Sequence, residues 1–213
     1  MKNILCYGDS NTFGLSPDWV YGRFGRHAPD VRWTGRLALL LGEQYHIIEE
    51  GLNGRTTVFD DPTIEGRNGL THLPVALESH MPLDCVVIML GTNDTKPIFS
   101  ASPIDIAAGL GRLIQCVLAP FRYSVGGVPK VLVASPVPMK PGKLNPAEGN
   151  GGAIEKSRQL ASAFEPVAKM FGCDFIDLAL VTEASDEDGV HLNVEAHKAI
   201  AEAIADKLKE MLE

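Results

Sequence analysis

Three residues near opposite ends of the 213-residue chain have the types that acyl transfer needs: Ser10, Asp188 and His191. Ser10 stands in Gly8-Asp9-Ser10-Asn11, directly after the apolar run Ile4-Leu5-Cys6-Tyr7. A serine hydroxyl is a weak nucleophile until a base takes its proton, and an imidazole titrating near neutral pH is suited to that task. In Asp188-Gly189-Val190-His191 a carboxylate precedes the His by three residues, with a Gly between them to let the chain turn. That spacing in a loop lets Asp188 accept from one ring nitrogen while the other faces Ser10, which fixes the tautomer and stabilises the imidazolium. Asp186 and Glu187 are alternative carboxylates whose positions fit a solvated loop better.

Residues this far apart must be joined by a scaffold, and the apolar patterning supplies one. Continuous apolar runs ended by turn residues read as buried parallel strands: the opening run before Gly8, 46–50, 84–90, 130–135 and 174–178. Between them lie helical patterns at 33–42, 70–80, 103–118 and 154–171, with a last helix over 193–212. The alternation predicts one α/β domain over residues 1–213, a three-layer α/β/α sandwich on a five-stranded parallel sheet, flavodoxin-like in outline. Ligands in such sheets bind beyond the carboxyl ends of the strands. The turns carrying Ser10, Gly54 and Asn93 then share one rim. The stretch from Leu15 to Trp33 reads as a long excursion that walls the pocket or meets another subunit, and 139–152 as an irregular, mobile stretch.

Composition narrows the partners. A net charge of −8 and the lack of a basic stripe argue against nucleic acid and for neutral small molecules. No apolar run approaches the ~20 residues of a membrane span, and the short run after Met1 is unlike a secretory signal, so a cytoplasmic protein with no membrane partner is expected. Cys6, Cys85, Cys116 and Cys173 read as buried free thiols. His27, His46, His72, His80 and His197 lack metal-ligand spacing and read as surface or packing residues. Asp9 and Asp94 are expected to brace their own turns, and Arg55 to touch substrate or pair with Asp60 or Asp61.

Gly8-Asp9-Ser10, Gly54, Gly91-x-Asn93-Asp94 and Asp188-x-x-His191, in this order, resemble the four sequence blocks of the SGNH hydrolases, the GDSL esterase and lipase superfamily. The resemblance covers essentially the whole chain, and Asn11 replaces the usual leucine after the serine. Arg32-Trp33-Thr34-Gly35, Glu49-Glu50-Gly51-Leu52, Arg55-Thr56-Thr57, Asp61-Pro62-Thr63 and the run from Met89 to Lys96 resemble the bacterial arylesterase and acyltransferase branch. This implies hydrolysis of small aryl and alkyl esters with short acyl groups through an acyl-enzyme, with transfer to alcohols or hydrogen peroxide as a further expectation. It also implies a homo-oligomer and no metal or organic cofactor. Carried over by position, Ser10 is the nucleophile, His191 the base and then acid, and Asp188 the orienting carboxylate. The backbone N–H groups of Ser10 and Gly54 and the Asn93 amide would hold the oxyanion, and Trp19, Leu52, Phe13 and Ile98 are candidate pocket walls. The same triad would equally serve a carbohydrate deacetylase or an acyl-thioesterase. A flavin- or phosphate-binding module is the alternative of another class, against which stands the lack of a phosphate-loop motif.

Overall fold

The computed structural model describes residues 1–18, 25–143 and 151–213. The opening apolar run forms β1 (Lys2–Gly8), flanked by β2 (Tyr45–Gly51) and β3 (Cys85–Met89), with β4 (Lys130–Ser135) and β5 (Asp174–Asp177) beyond. All pair in parallel in the order β2-β1-β3-β4-β5, so the expected five-stranded parallel sheet is present.

Side chains alternate across the pleat and divide the core in two. Leu5, Tyr7, Val86, Ile88, Val131 and Val133 pack beneath α3 (Gly69–His80), α4 (Pro103–Val117) and α6 (Leu160–Met170). Ile4, Cys6, Cys85, Val87, Leu132 and Ala134 face α2 (Trp33–Leu41) and α7 (Val194–Leu212). Both faces are dry, which is why β3 and β4 read as unbroken apolar runs rather than alternating ones. Two short helices complete the set among the described residues: α1 (Ser10–Phe13) and α5 (Ala153–Arg158). None of the described helices is long and apolar enough to cross a membrane.

Helix ends follow local chemistry. Ser102 and Asp105 form a reciprocal capping box that starts α4, with Pro103 in its first turn, and the Asn193 side chain caps α7 by accepting from Ala196 N. The pattern over 154–171 predicts one helix, but the chain forms α5 and α6 with a joint at Gln159. The Ser157 hydroxyl accepts from Met139 N and donates to Ile154 O, competing for a carbonyl that a continuous helix would use. The four cysteines are free thiols, three of them buried and Cys173 partly so.

The register places the site. Gly8 pairs with Gly51 on one side and Met89 on the other, so β1, β2 and β3 end on one rung. The strand order reverses at β1, and the turns leaving this rung open the crevice where doubly wound sheets bind ligands.

Candidate active site

β1 ends at Gly8, and the chain turns at once into α1. Asp9 caps that helix, its Oδ1 accepting from Asn11 N at 2.9 Å. Ser10 thereby sits on the first turn, where backbone N–H groups have no helical acceptor. Its Oγ lies 2.9 Å from His191 Nε2, and His191 Nδ1 lies 2.5 Å from Asp188 Oδ2. The second oxygen of Asp188 accepts from Val190 N at 3.0 Å and His191 N at 2.9 Å. An ionised carboxylate only accepts, so Nδ1 carries the proton and Nε2 is left to accept from the serine hydroxyl. Burial works to raise the Asp188 pKa, but the bond to His191, that ring's charge and the two backbone donors outweigh it and hold the carboxyl below its ordinary value.

The loop bearing Asp188 and His191 is held from two sides. Asn11 Nδ2 donates to Val190 O at 3.3 Å, so the residue that departs from the family's usual leucine links the Ser10 turn to the His191 loop. On the other side the segment after β4 lies against the loop, with Lys140 N donating to Gly189 O and Lys143 N to Asp186 O, each at 2.9 Å. Backbones approach so closely here that a Cβ on Gly142 would sit 2.2 Å from the Asp188 carbonyl carbon. Asp186 and Glu187 point to Lys140 and Lys143 at the surface, which leaves Asp188 as the partner of His191.

Gly54 and Asn93 stand on the turns after β2 and β3. Gly54 has φ +80°, a conformation that only glycine adopts cheaply, and its N–H has no acceptor among the described residues. Asn93 Nδ2 donates to Arg55 O at 3.1 Å and lies 3.5 Å from Asp9 Oδ2. Asp94 reaches beyond its own turn: its Oδ1 accepts from Thr57 N at 2.8 Å and Thr57 Oγ1 at 2.5 Å. Burial pushes Asp9 and Asp94 each up to about 6, against the bonds from Asn11 to Asp9 and from Thr57 to Asp94.

Ser10, Asn93 and His191 open into a cleft of about 430 Å³ that Thr92, Lys96, Pro97, Ile98, Met139, Ala153 and Val190 also line. Ile98 is therefore at the pocket, as the sequence suggests. Leu52 and Phe13 are not among the described residues that line it, and the Arg26 guanidinium lies over the Phe13 ring at 4.2 Å. Trp19 lies outside the described residues. Arg55 pairs with neither Asp60 nor Asp61 but turns inward, donating to Gly8 O and Glu50 O. Among the described residues no group of three or more His, Cys, Asp and Glu side chains is arranged to hold a metal ion. His80 pairs with Glu50, and His197 is a core residue accepting from Trp33 N through Nδ1.

Sequence reading missed a second anchor. Glu49 accepts from Arg32 at 3.1 and 2.7 Å, from Arg26 at 3.3 Å and from the Thr34 hydroxyl, tying the long connection after α1 to β2. The fragments holding Arg32, Thr34 and Glu49 were visible in the sequence, but nothing in their spacing pairs them.

A parallel sheet that presents a Ser–His–Asp chain and an Asn amide at one crevice defines a hydrolase of the SGNH type. The chain belongs to the GDSL-like lipase/acylhydrolase family, whose model matches residues 6–199. It is similar to the solved aryl esterase of M. smegmatis, with 39% identity, a TM-score of 0.93 and full coverage of both chains. A carbohydrate acetylesterase from Sinorhizobium meliloti is similar at 41% identity, again with a TM-score of 0.93 and full coverage of both. An acetylxylan esterase from Xylanibacter ruminicola is 26% identical over 97% of this chain, which spans only 43% of that protein's length.

Proposed function

We propose that this chain is a serine esterase that hydrolyses small esters with short acyl groups through an acyl-enzyme. The observation that carries the reading is the continuous relay from Ser10 Oγ through His191 to Asp188, at 2.9 and 2.5 Å, opening into the cleft. His191 Nε2 takes the Ser10 proton as Oγ bonds to the ester carbon, and the carbonyl electron pair moves onto oxygen. The N–H groups of Ser10 and Gly54 and the Asn93 amide stabilise that oxyanion. As the oxyanion collapses, the bond to the leaving oxygen breaks, and His191 returns the proton to the departing alcohol. Water then attacks acyl-Ser10 with His191 again as base, and Ser10 leaves with the proton.

A cleft of about 430 Å³ is near the small end of ligand pockets, which run roughly 300–1,000 Å³, and favours short acyl chains. Ile98, Met139, Ala153, Val190 and Pro97 make part of its wall apolar, which limits water at the acyl-enzyme and supports transfer to alcohols or hydrogen peroxide alongside hydrolysis. A second reading, deacetylation of carbohydrate, draws on the likeness to the Sinorhizobium and Xylanibacter acetylesterases. The homo-oligomer belongs to the same proposal, and light scattering on the purified chain tests it. For the chemistry, wild type and Ser10→Ala are compared on 4-nitrophenyl acetate and octanoate, acetylated xylan and an acyl-thioester, with a fluorophosphonate label read by intact mass. One adduct on Ser10, with acetate cleaved faster than octanoate and neither cleaved by the variant, is the expected result. Turnover that persists in Ser10→Ala would refute the acyl-enzyme.

A further inference from the structure

Arg55 has no role in the steps above, yet its contacts reach the ends of β1 and β2 and the turn after β3, from which the three oxyanion donors project. Its side chain is buried, 5% exposed, and lies with the guanidinium carbon 4.1 Å over the Tyr7 ring. Nη1 donates to Gly8 O at 2.9 Å and to Glu50 O, fixing the ends of β1 and β2 together. The backbone of Arg55 continues directly from Gly54, and its carbonyl takes one of the two N–H bonds of the Asn93 amide. The second hydrogen of that amide has only the long 3.5 Å contact to Asp9 Oδ2, so the shorter bond to Arg55 O sets the plane of the amide and the direction in which the second hydrogen is presented.

Building on the esterase reading, we propose that Arg55 is the positioning residue of the oxyanion hole, locking the donor turns of Ser10, Gly54 and Asn93 into one unit. The side chain anchors Gly8, two residues before Ser10, while the main chain holds Gly54 on one side and aims Asn93 on the other. A planar guanidinium suits this place because it can stack on Tyr7 and donate in its plane at the same time. A lysine ammonium is a compact point charge that cannot do both. Oxyanion donors act only when aimed at where charge develops, and a displacement of about 1 Å costs on the order of 10²-fold in rate.

The test places Arg55→Lys and Arg55→Met in the wild-type and Asn93→Ala backgrounds, measuring kcat and KM for 4-nitrophenyl acetate and the Tm of each protein. In the wild-type background kcat should fall about 10- to 10²-fold with KM within about twofold, the mark of an interaction realised in the transition state. In the Asn93→Ala background the same substitutions should cost at least about threefold less than in wild type, because one of the three donors that Arg55 locks together is already gone and only Ser10 and Gly54 remain to be misplaced. Equal fold losses in the two backgrounds, or wild-type kcat in a folded Arg55→Met protein, would overturn the proposal and leave Arg55 a stability residue. Tyr7→Leu, which keeps the guanidinium but removes the ring beneath it, serves if the Arg55 variants do not fold. Its kcat loss should likewise shrink in the Asn93→Ala background, and an equal loss in both would count against the proposal. Ser10-dependent hydrolysis by wild type is the control: without it the esterase reading fails first, and this proposal with it.

Discussion

Replacing Asn93 by alanine separates transition-state stabilisation from folding, because the structure gives very different sizes for the two losses. Toward stability, the side chain contributes one neutral hydrogen bond at 3.1 Å to Arg55 O and a long contact of 3.5 Å to Asp9. A neutral hydrogen bond nets about 1 kcal/mol, and the side chain is nearly buried, so a cost of roughly 1–2 kcal/mol is expected. For a domain of this size that lowers Tm by about 2–8 °C. Toward catalysis, it is the one oxyanion donor of the three that a side-chain change can remove. Losing one such donor costs on the order of 10²–10³ in kcat, or about 2.7–4 kcal/mol. The assay is steady-state cleavage of 4-nitrophenyl acetate with thermal melts on the same preparations. An Asn93→Ala protein that melts within this window and turns over within about threefold of wild type would sink the oxyanion assignment. Asn93→Asp is the stricter companion, since it keeps the shape but sets a carboxylate beside Asp9 and facing the developing negative charge. It should be at least as slow.

Gly142→Ala should act on Asp188 from outside the triad. Its Cβ would lie 2.2 Å from the Asp188 carbonyl carbon, so the segment must lift and strain the Lys140–Gly189 and Lys143–Asp186 bonds. A kcat loss of about 10²-fold is expected, with destabilisation of about 1–3 kcal/mol in chemical unfolding. Wild-type kcat would show that the loop does not depend on this contact. The pH dependence of stability should show opposing contributions. Burial, together with nearby His27 and arginines, lowers His197 to about 3, so below its ordinary value of 6.5 the unfolded chain takes a proton that the folded chain refuses. Stability then falls by about 1.4 kcal/mol per pH unit between those values as pH drops, and His197→Gln should flatten that fall in urea titrations. Asp94 titrates near 6 when folded and at 3.8 ordinarily, so its burial costs stability at neutral pH and the cost disappears as pH falls through that range. Asp94→Asn should therefore raise the urea midpoint at pH 7.5 relative to wild type and lose that advantage by pH 4. An advantage independent of pH would refute the buried charge.

Much of this molecule could be read from its sequence because the informative residues are local. β1 through β5 appear as apolar runs since both faces of the sheet are covered, and each run stops at turn residues that mark the rim. Ser10, Asp188 and His191 stand out because their chemistry needs rare combinations of side chains at those turns. What escaped reading depends on where long or buried side chains travel through space. Arg55 has aspartates five and six residues away, yet it crosses the sheet end to Gly8 and Glu50, where two strand-end carbonyls accept from it and an aromatic face is open. Asp94 reaches beyond its own turn to Thr57. The Glu49 anchor and the approach of Gly142 to Asp188 belong to the same class, since each pairs segments whose separation in sequence carries no period.

These hidden contacts explain how a site made of loops becomes accurate. Ser10, Gly54 and Asn93 lie two, three and four residues beyond the common rung of Gly8, Gly51 and Met89. Ladder hydrogen bonds fix the rung, but each further residue adds two soft backbone torsions, so the three donors would diverge if the turns were independent. Cross-links between the turns remove that freedom. Arg55 joins the first two through Gly8 O and Glu50 O and the second to the third through Asn93, Asp94 joins the second to the third again through Thr57, and Asn11 extends the network to the His191 loop. The strands decide that the chemistry is on this edge, whereas the side chains between the turns decide whether its geometry falls within the fraction of an ångström that catalysis requires. Substitutions at those links should therefore lower kcat well before they unfold the protein.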